Sequence, residues 1–137
     1  MKRVALQDAV DKLHRKGILP DADSTRILFS PKNQRLDLKR VAKLFGLTAR
    51  RLAGIIEVPP STADKTPDSK IIHAKLLSFE RIARSLAELD DDQDTFRRWL
   101  NTPNPELSDF TPLQVIEKGK ADAVADMVSS ALLGQPA

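Results

Sequence analysis

A chain of 137 residues, 41% of them apolar and 30% charged, has the composition of a globular protein with one core, or with two small helical lobes that share one. The absence of cysteine excludes disulfides, thiol nucleophiles and thiolate metal sites. No long apolar run and no apolar N-terminal stretch is present, so we expect no membrane span, no secretory signal and a cytoplasmic location.

The net charge of +3 conceals an uneven distribution. Residues 1–60 carry 13 Lys/Arg and 6 Asp/Glu, a balance of +7, whereas residues 61–137 carry 9 and 13, a balance of −4. Lysine and arginine neutralise the phosphates of nucleic acids, and an acidic region repels them. The basic half therefore favours a DNA partner, and the acidic half favours a protein partner.

A first helix is predicted near the N-terminus, with its end at Gly17. Its apolar residues recur at helical spacing and are Val4, Leu6, Ala9, Val10 and Leu13. Residues 18–34 contain Pro20, Pro31 and only a short apolar run. We expect this segment to be mainly a loop, with at most a brief extended piece.

The sequence of residues 36–58 predicts a helix-turn-helix. Asp37 is placed to cap a first helix, Gly46 supplies the positive φ of the turn, and Thr48 is placed to cap a second helix. The positions that face inward on this pattern are apolar: Leu38, Val41, Ala42, Phe45, Leu47, Leu52, Ile55 and Ile56. An ordinary helical hairpin can show the same spacing. The charges at the exposed positions therefore have to distinguish a plain hairpin from a DNA-binding motif.

The outward positions of the predicted helix-turn-helix are rich in cations. In this motif the N-terminal half of the second helix reaches base edges in the major groove, which makes Thr48, Arg50 and Arg51 the candidate readers. The first helix would lie over the phosphate backbone and position the domain. Its candidate contacts are Lys39, Arg40 and Lys43. A solvated basic face without a ligand is the alternative.

Proline-rich residues 58–69 predict an internal boundary, with a first region at 1–68 and a second at 69–137. Asp68 or Ser69 is placed to cap a long connecting helix. Its apolar seam has heptad-like spacing and consists of Ile72, Leu76, Phe79, Ala83 and Leu86. Such a seam packs on the chain's own helices or pairs with a second copy, and both alternatives stay open.

Three further helices are predicted after the acidic residues 90–94, which end the long helix. The first of them covers residues 95–101, with Phe96, Trp99 and Leu100 inward. Residues 102–110 form an irregular elbow because Pro103 and Pro105 remove backbone donors. Thr111 and Pro112 start a short helix that Gly119 closes, and a final helix carries Val124, Val128 and Leu132 and ends at Gly134.

Catalytic motifs are missing from the sequence. It has no glycine-rich phosphate loop, no nucleophile elbow and no paired histidine and carboxylate. His14 and His73 lack the spacing of metal ligands and are interpreted as solvated surface residues, and Asp90 to Asp92 are interpreted as solvated caps at a helix end. We therefore expect no enzyme, no cofactor and no metal site.

One ordered set of residues in the second half is more specific. A Trp-Leu pair, a Pro-Asn elbow, a Thr-Pro-Leu helix start and two glycines that end helices are read from Trp99, Leu100, Pro103, Asn104, Leu107, Thr111, Pro112, Leu113, Gly119, Val124 and Gly134. This arrangement resembles the toxin-binding domain of the Xre/MbcA/ParS antitoxins. The resemblance extends over roughly residues 37–134, because that family carries an Xre-like helix-turn-helix ahead of the same long helix. The family often has a Gly-Gly step where this chain has Ser108 and Asp109.

The resemblance implies an all-α protein, with an N-terminal Xre-like helix-turn-helix bundle followed by a small helical toxin-binding domain. It implies an antitoxin that occludes the active site of a RES-domain, NAD-consuming toxin and represses transcription of its own operon by binding operator DNA. It further implies a homodimer or a hetero-oligomer with the toxin. The implied toxin contacts are Thr111, Pro112, Lys118, Lys120, Asp122, Met127, Leu133, Gly134, Gln135 and Ala137. The alternative is a helix-turn-helix transcriptional regulator whose C-terminal half only dimerises.

Overall fold

The computed structural model describes residues 23–90 and 92–132, and this part of the chain is almost entirely helical. Its α-helices are α1 (Asp23–Arg26), α2 (Leu38–Phe45), α3 (Ala49–Ile55), α4 (Pro60–Lys65), α5 (Lys70–Lys75), α6 (Leu77–Ala87), α7 (Gln93–Leu100), α8 (Pro112–Glu117) and α9 (Ala121–Leu132), with a 3-10 helix at Pro105–Leu107. The predicted all-α class is confirmed. The helix predicted to end at Gly17 lies outside the described residues.

Between α1 and α2 the chain folds back on itself. Phe29 and Leu36 form an isolated antiparallel bridge, and the Ser30 amide donates to the Arg35 carbonyl at 2.7 Å. Leu28 and Leu36 are fully buried, so burial of two leucines fixes this loop. The bridge agrees with the brief extended piece expected here, whereas α1 is a helical turn where a loop was predicted.

The two helices α2 and α3 form the predicted helix-turn-helix unit. An Asp37 carboxylate oxygen accepts from the amides of Lys39 and Arg40 at 2.9 and 3.2 Å, which caps α2. Gly46 ends α2 with φ of +73°, a conformation that costs glycine little. The Thr48 hydroxyl accepts from the Arg51 amide at 3.1 Å and caps α3. Both caps and the turn lie where the sequence predicted them.

The proline-rich boundary segment contains a helix rather than only a linker. Pro60 occupies the first turn of α4, where the missing amide proton of proline costs nothing. Ala63 is 2% exposed and joins the core, which gives the helix an inward face. The two prolines that suggested a break are therefore the residues that start a helix.

The long connecting helix predicted after residue 69 is two helices. Ser69 caps α5 by accepting from the Ile72 amide, but Leu76 has φ of −99° and ψ of 0° and separates α5 from α6. The His73 imidazole Nδ1 accepts from the Leu36 amide at 3.0 Å, so α5 is tied to the loop before α2. The most extensive helix contact in the described chain joins α6 to α9. The break lets the two halves pack on different neighbours.

After α6, the chain forms α7, the elbow and the pair α8 and α9. Asp92 caps α7, and Thr111 caps α8 with a full capping box, in which the Gln114 side chain accepts from the Thr111 amide. Gly119, with φ of +83°, ends the α8 turn as predicted. None of the helices in the described ranges is long and apolar enough to cross a membrane.

One continuous core joins the helix-turn-helix to the later helices. The Phe45 ring of α2 meets the Phe79 ring of α6 and the Phe96 ring of α7 edge to face, with centroids 5.2 and 5.1 Å apart. The predicted seam residues are buried in this core, apart from Leu86, which is half-buried. The seam therefore packs against the chain's own helices, the first of the two alternatives.

Candidate DNA-binding and partner-binding surfaces

The six candidate DNA contacts are all exposed, but their surroundings differ. On α3, Arg50 has no ion-pair partner among the described residues. Arg51 donates from Nε to a Glu117 carboxylate oxygen at 3.1 Å and pairs with the same oxygen through Nη2. The Thr48 hydroxyl is engaged in capping. Arg50 is therefore the side chain of α3 that is least committed to the fold.

The three cations of α2 lie on the face expected to meet phosphates. Lys39 Nζ lies 3.3 Å from Asp64, and Arg40 donates from Nη1 to the Ile27 carbonyl at 3.2 Å. Asp64 and the Ile27 carbonyl hold the side chains of Lys39 and Arg40 in place. They neutralise little of the positive charge, because Asp64 is highly exposed and such a pair is weak. Lys43 projects from the same helix near its C-terminus.

Hydrogen bonds within residues 104–110 fix the conformation of the elbow. The Asn104 side chain accepts from the Glu106 amide at 2.9 Å, and the Asn104 amide donates to the Phe110 carbonyl at 3.0 Å. Ser108 and Asp109 have φ of +56° and +66°. They therefore adopt the left-handed conformation that glycine favours, at the step where the antitoxin family often has Gly-Gly.

The predicted contacts at the start of α8 divide into supporting and exposed residues. The Thr111 side chain caps the helix and Pro112 is buried, so both shape the surface from below. The Lys118 ammonium lies 4.0 Å from the centre of the Phe110 ring, which is 42% exposed. A cation over an aromatic face is a favourable pair. Lys118 and Phe110 together form an exposed apolar and cationic spot beside the elbow.

The remaining predicted contacts lie on α9 or beyond it. Lys120 and Asp122 are exposed at its start, and the Asp122 carboxylate accepts a hydrogen bond from the Ser78 hydroxyl of α6. Met127 is 9% exposed and belongs to the core. The other members, Leu133, Gly134, Gln135 and Ala137, lie outside the described residues.

Several long-range contacts at these surfaces had no signal in the sequence. Arg51 and Glu117 are 66 residues apart, and Arg81 of α6 pairs with Asp126 of α9 at 2.6 Å. Arg97 of α7 donates to two carbonyls at the end of α2. Local spacing cannot reveal such pairs, because they depend on how helices pack.

In the part of the chain that the structure describes, two carboxyl groups have a shifted pKa, and both act in the fold. The Ser30 hydroxyl holds the pKa of Asp68 below its usual range, and the Thr95 hydroxyl does the same for the pKa of Asp92. His73, interpreted from sequence as a solvated histidine, is half-buried and bonded to the backbone. Within residues 23–90 and 92–132, no group of three or more His, Asp or Glu side chains is placed to hold a metal ion.

The fold and these surfaces define a small helical protein that joins a basic helix-turn-helix to a capped pair of C-terminal helices. Residues 85–132 match the family model of the antitoxin Xre/MbcA/ParS C-terminal toxin-binding domain. This stretch runs from the end of α6 to the end of α9, and the match confirms the resemblance there. No characterised protein and no solved structure matches the chain.

The match supports an antitoxin role with a toxin as the partner. The domain of the matching family model is a binding module and not a catalytic one. The matched stretch begins after the helix-turn-helix, so the function of that unit remains a prediction from its own residues.

Proposed function

We propose that this antitoxin neutralises a RES-domain toxin that consumes NAD, by covering its active site, and that it represses its own operon through the helix-turn-helix. The observation that carries the proposal is the toxin-binding domain at residues 85–132. The RES partner, the NAD chemistry and the operator follow from the family resemblance. We keep 1–68 and 69–137 as the proposed division between DNA-binding and toxin-binding regions.

The proposed toxin-binding surface consists of the exposed residues around α8 and the start of α9, namely Lys118, Lys120, Asp122 and the neighbouring Phe110. Half-buried or buried residues beneath it, including Thr111, Pro112 and Met127, hold it in shape. Aromatic residues such as the exposed Phe110 are enriched at protein interfaces.

Deletion of the last helix is a poor test of this surface. Val124 and Ala125 are fully buried and α9 packs along α6, so removing residues 120–137 would remove part of the core. Charge reversal at exposed Lys120 changes the surface alone. Lys65 on α4 offers the same substitution at an exposed position outside the proposed surface.

The test mixes the antitoxin with the purified RES-domain protein encoded beside it and follows NAD loss. Wild type should stop NAD loss at equimolar ratio, and Lys120→Glu should weaken binding by about tenfold, near 1.4 kcal/mol. Lys65→Glu should behave as wild type. Uninhibited NAD loss with the wild-type protein would overturn the RES proposal.

DNA binding is tested separately on the duplex upstream of the gene. Arg50→Ala should weaken binding at least about tenfold, since a bidentate arginine contact to guanine is worth about 1–3 kcal/mol, and should leave toxin binding intact. Arg84→Ala on α6 removes the same charge outside the helix-turn-helix. Equal losses in both variants would show that Arg50 makes no specific contact.

A second candidate function is a regulator that only dimerises through its C-terminal half. The exposed apolar residues Ile71 and Leu77, at 69% and 52%, favour some contact with another chain. A monomer in ultracentrifugation of the protein without toxin would exclude this function, because a regulator of this kind must be a dimer on its own.

A further inference from the structure

A basic cleft lies between the first helix of the helix-turn-helix and α7. Its volume is about 570 Å³. Its lining includes Lys39, Arg40 and Lys43 from α2, Gln93 and Arg97 from α7, and Ile27. The cleft therefore joins the DNA-binding unit to the segment that matches the toxin-binding domain.

Of the described residues that line the cleft, four have cationic side chains and none is acidic. Among the described residues, Lys39 is the only cation of the four with a carboxylate within 4 Å, and that carboxylate belongs to Asp64. Arg40 and Arg97 donate to backbone carbonyls, which carry no net charge. Most of the positive charge is thus uncompensated, and a concave basic site attracts an anion.

Arg97 is held in place before any ligand arrives. Its Nε donates to the Leu44 carbonyl at 3.3 Å and its Nη2 to the Lys43 carbonyl at 3.2 Å. These carbonyls are at the C-terminal end of α2, where the helix dipole favours a cation. Within residues 23–90 and 92–132, Nη1 of Arg97 has no acceptor. Because the side chain is already ordered, a ligand that accepts from Nη1 costs less conformational entropy.

We infer that this cleft binds the phosphate backbone of DNA, so that α7 extends the DNA interface beyond the helix-turn-helix. The inference rests on the proposed DNA binding, because the α2 cations that line the cleft are the same residues proposed to contact phosphates. Arginine and glutamine side chains are common donors to phosphate oxygens, and Arg97 and Gln93 supply one of each.

The consequence is that the toxin-binding domain itself contributes to DNA binding. Its first complete helix, α7, would touch the strand that passes over α2. A free anion or an acidic peptide would meet only the cleft, whereas duplex DNA would engage the cleft and α3 together. The cleft is lined by α2, the helix that packs against α3, and this shared helix favours DNA as the ligand.

Gln93 provides the test, because it lines the cleft and its exchange removes no hydrogen bond that holds the fold. Gln93→Glu also adds an acid at the first residue of α7, which the helix dipole favours, so unfolding is no explanation for a loss. Arg98→Gln changes the net charge by the same amount, one residue beyond Arg97 on the same helix, and Arg98 does not line the cleft.

The measurement is fluorescence anisotropy with the duplex from upstream of the gene, at salt concentrations from roughly 50 to 200 mM. Gln93→Glu should weaken binding about five- to tenfold, and Arg98→Gln by less than about twofold. Gln93→Lys should tighten binding and steepen the slope of log K against log salt by about 0.9, the value for one added phosphate contact.

The outcomes separate this inference from the proposed function. If wild type binds the duplex but Gln93→Glu and Arg98→Gln weaken it equally, the cleft makes no DNA contact and the inference is wrong. If Gln93→Lys leaves the salt slope unchanged, it is wrong as well. If wild type does not bind the duplex while it still binds toxin, the proposed DNA binding fails and the inference fails with it.

Discussion

At the scale of single residues, the elbow holds two non-glycine residues in the left-handed conformation. Ser108 and Asp109 both have positive φ, which costs a residue with a side chain roughly 1–2 kcal/mol relative to glycine. Aspartate tolerates this region better than most residues, whereas serine has less compensation. Most of the conformational free-energy cost of the two positive φ angles is therefore at Ser108.

Replacing Ser108 by glycine should stabilise the protein. The relief of the left-handed conformation exceeds the added entropy of the unfolded glycine, so we expect Ser108→Gly to raise the free energy of unfolding by about 0.5–1 kcal/mol. Thermal denaturation followed by circular dichroism measures it as a rise of about 2–4 °C.

The matched control is Ser61→Gly in α4, an exposed helical position with ordinary backbone angles. There the same exchange should lower stability by about 0.5 kcal/mol, because glycine is a poor helix former. A fall in stability for Ser108→Gly would contradict the assigned conformation.

At the scale of elements, helix boundaries that are set by residues within a few positions were predictable from sequence, and the other boundaries were not. Asp37, Gly46 and Thr48 each act on the backbone within a few positions, so sequence alone located α2 and α3. Helix α4 was missed because proline stops a helix in its interior and starts one at its first turn. The break at Leu76 was missed because a regular apolar seam continues across it.

The cap of α7 makes a contribution that depends on pH. Asp92 accepts from the Thr95 hydroxyl at 3.0 Å and from the Asp94 amide at 3.2 Å, and these bonds lower its pKa. A lowered pKa in the folded state means that the carboxylate stabilises the fold above its ordinary pKa near ~3.9. This stabilisation is lost as the pH falls through the lower pKa of the folded state.

Asp92→Asn should therefore be less stable than wild type at pH 7, and the difference should disappear at an acidic pH below the pKa of the folded Asp92 carboxyl. Asparagine still caps a helix, so the variant removes mainly the charge. Urea denaturation at both pH values measures the difference. Asp90→Asn, at an exposed residue that caps no helix, should show no such dependence, and a deficit of Asp92→Asn that persists at low pH would refute the assignment.

At the scale of the whole molecule, a single core serves both binding regions. The rings of Phe45, Phe79 and Phe96 come from α2, α6 and α7, so the helix-turn-helix and the toxin-binding domain bury the same cluster. Sequence predicted each of these rings to face inward. Which rings would meet could not be predicted, because the partners are separated by up to about fifty residues and no local pattern links them.

Phe45→Ala should destabilise the entire chain by about 3–5 kcal/mol, the usual cost of truncating a buried aromatic ring. Phe110→Ala makes the same change at a ring that is 42% exposed and should cost less than about 1 kcal/mol. Urea unfolding followed by Trp99 fluorescence and by circular dichroism should give coincident transitions in both variants. Separate transitions would show that the two regions unfold independently.

The ion pair between Arg51 and Glu117 couples the proposed DNA-binding surface to the proposed toxin-binding surface. A toxin that draws the carboxylate away from α3 releases the guanidinium for DNA, and DNA that engages the guanidinium releases the carboxylate by the same factor, since coupling between sites is reciprocal. Arg51 is 60% exposed, so the pair is worth less than about 1 kcal/mol. That bounds the cooperativity carried by this contact at about fivefold, which would bias the proposed repression by the toxin-bound form and would be too little to switch it.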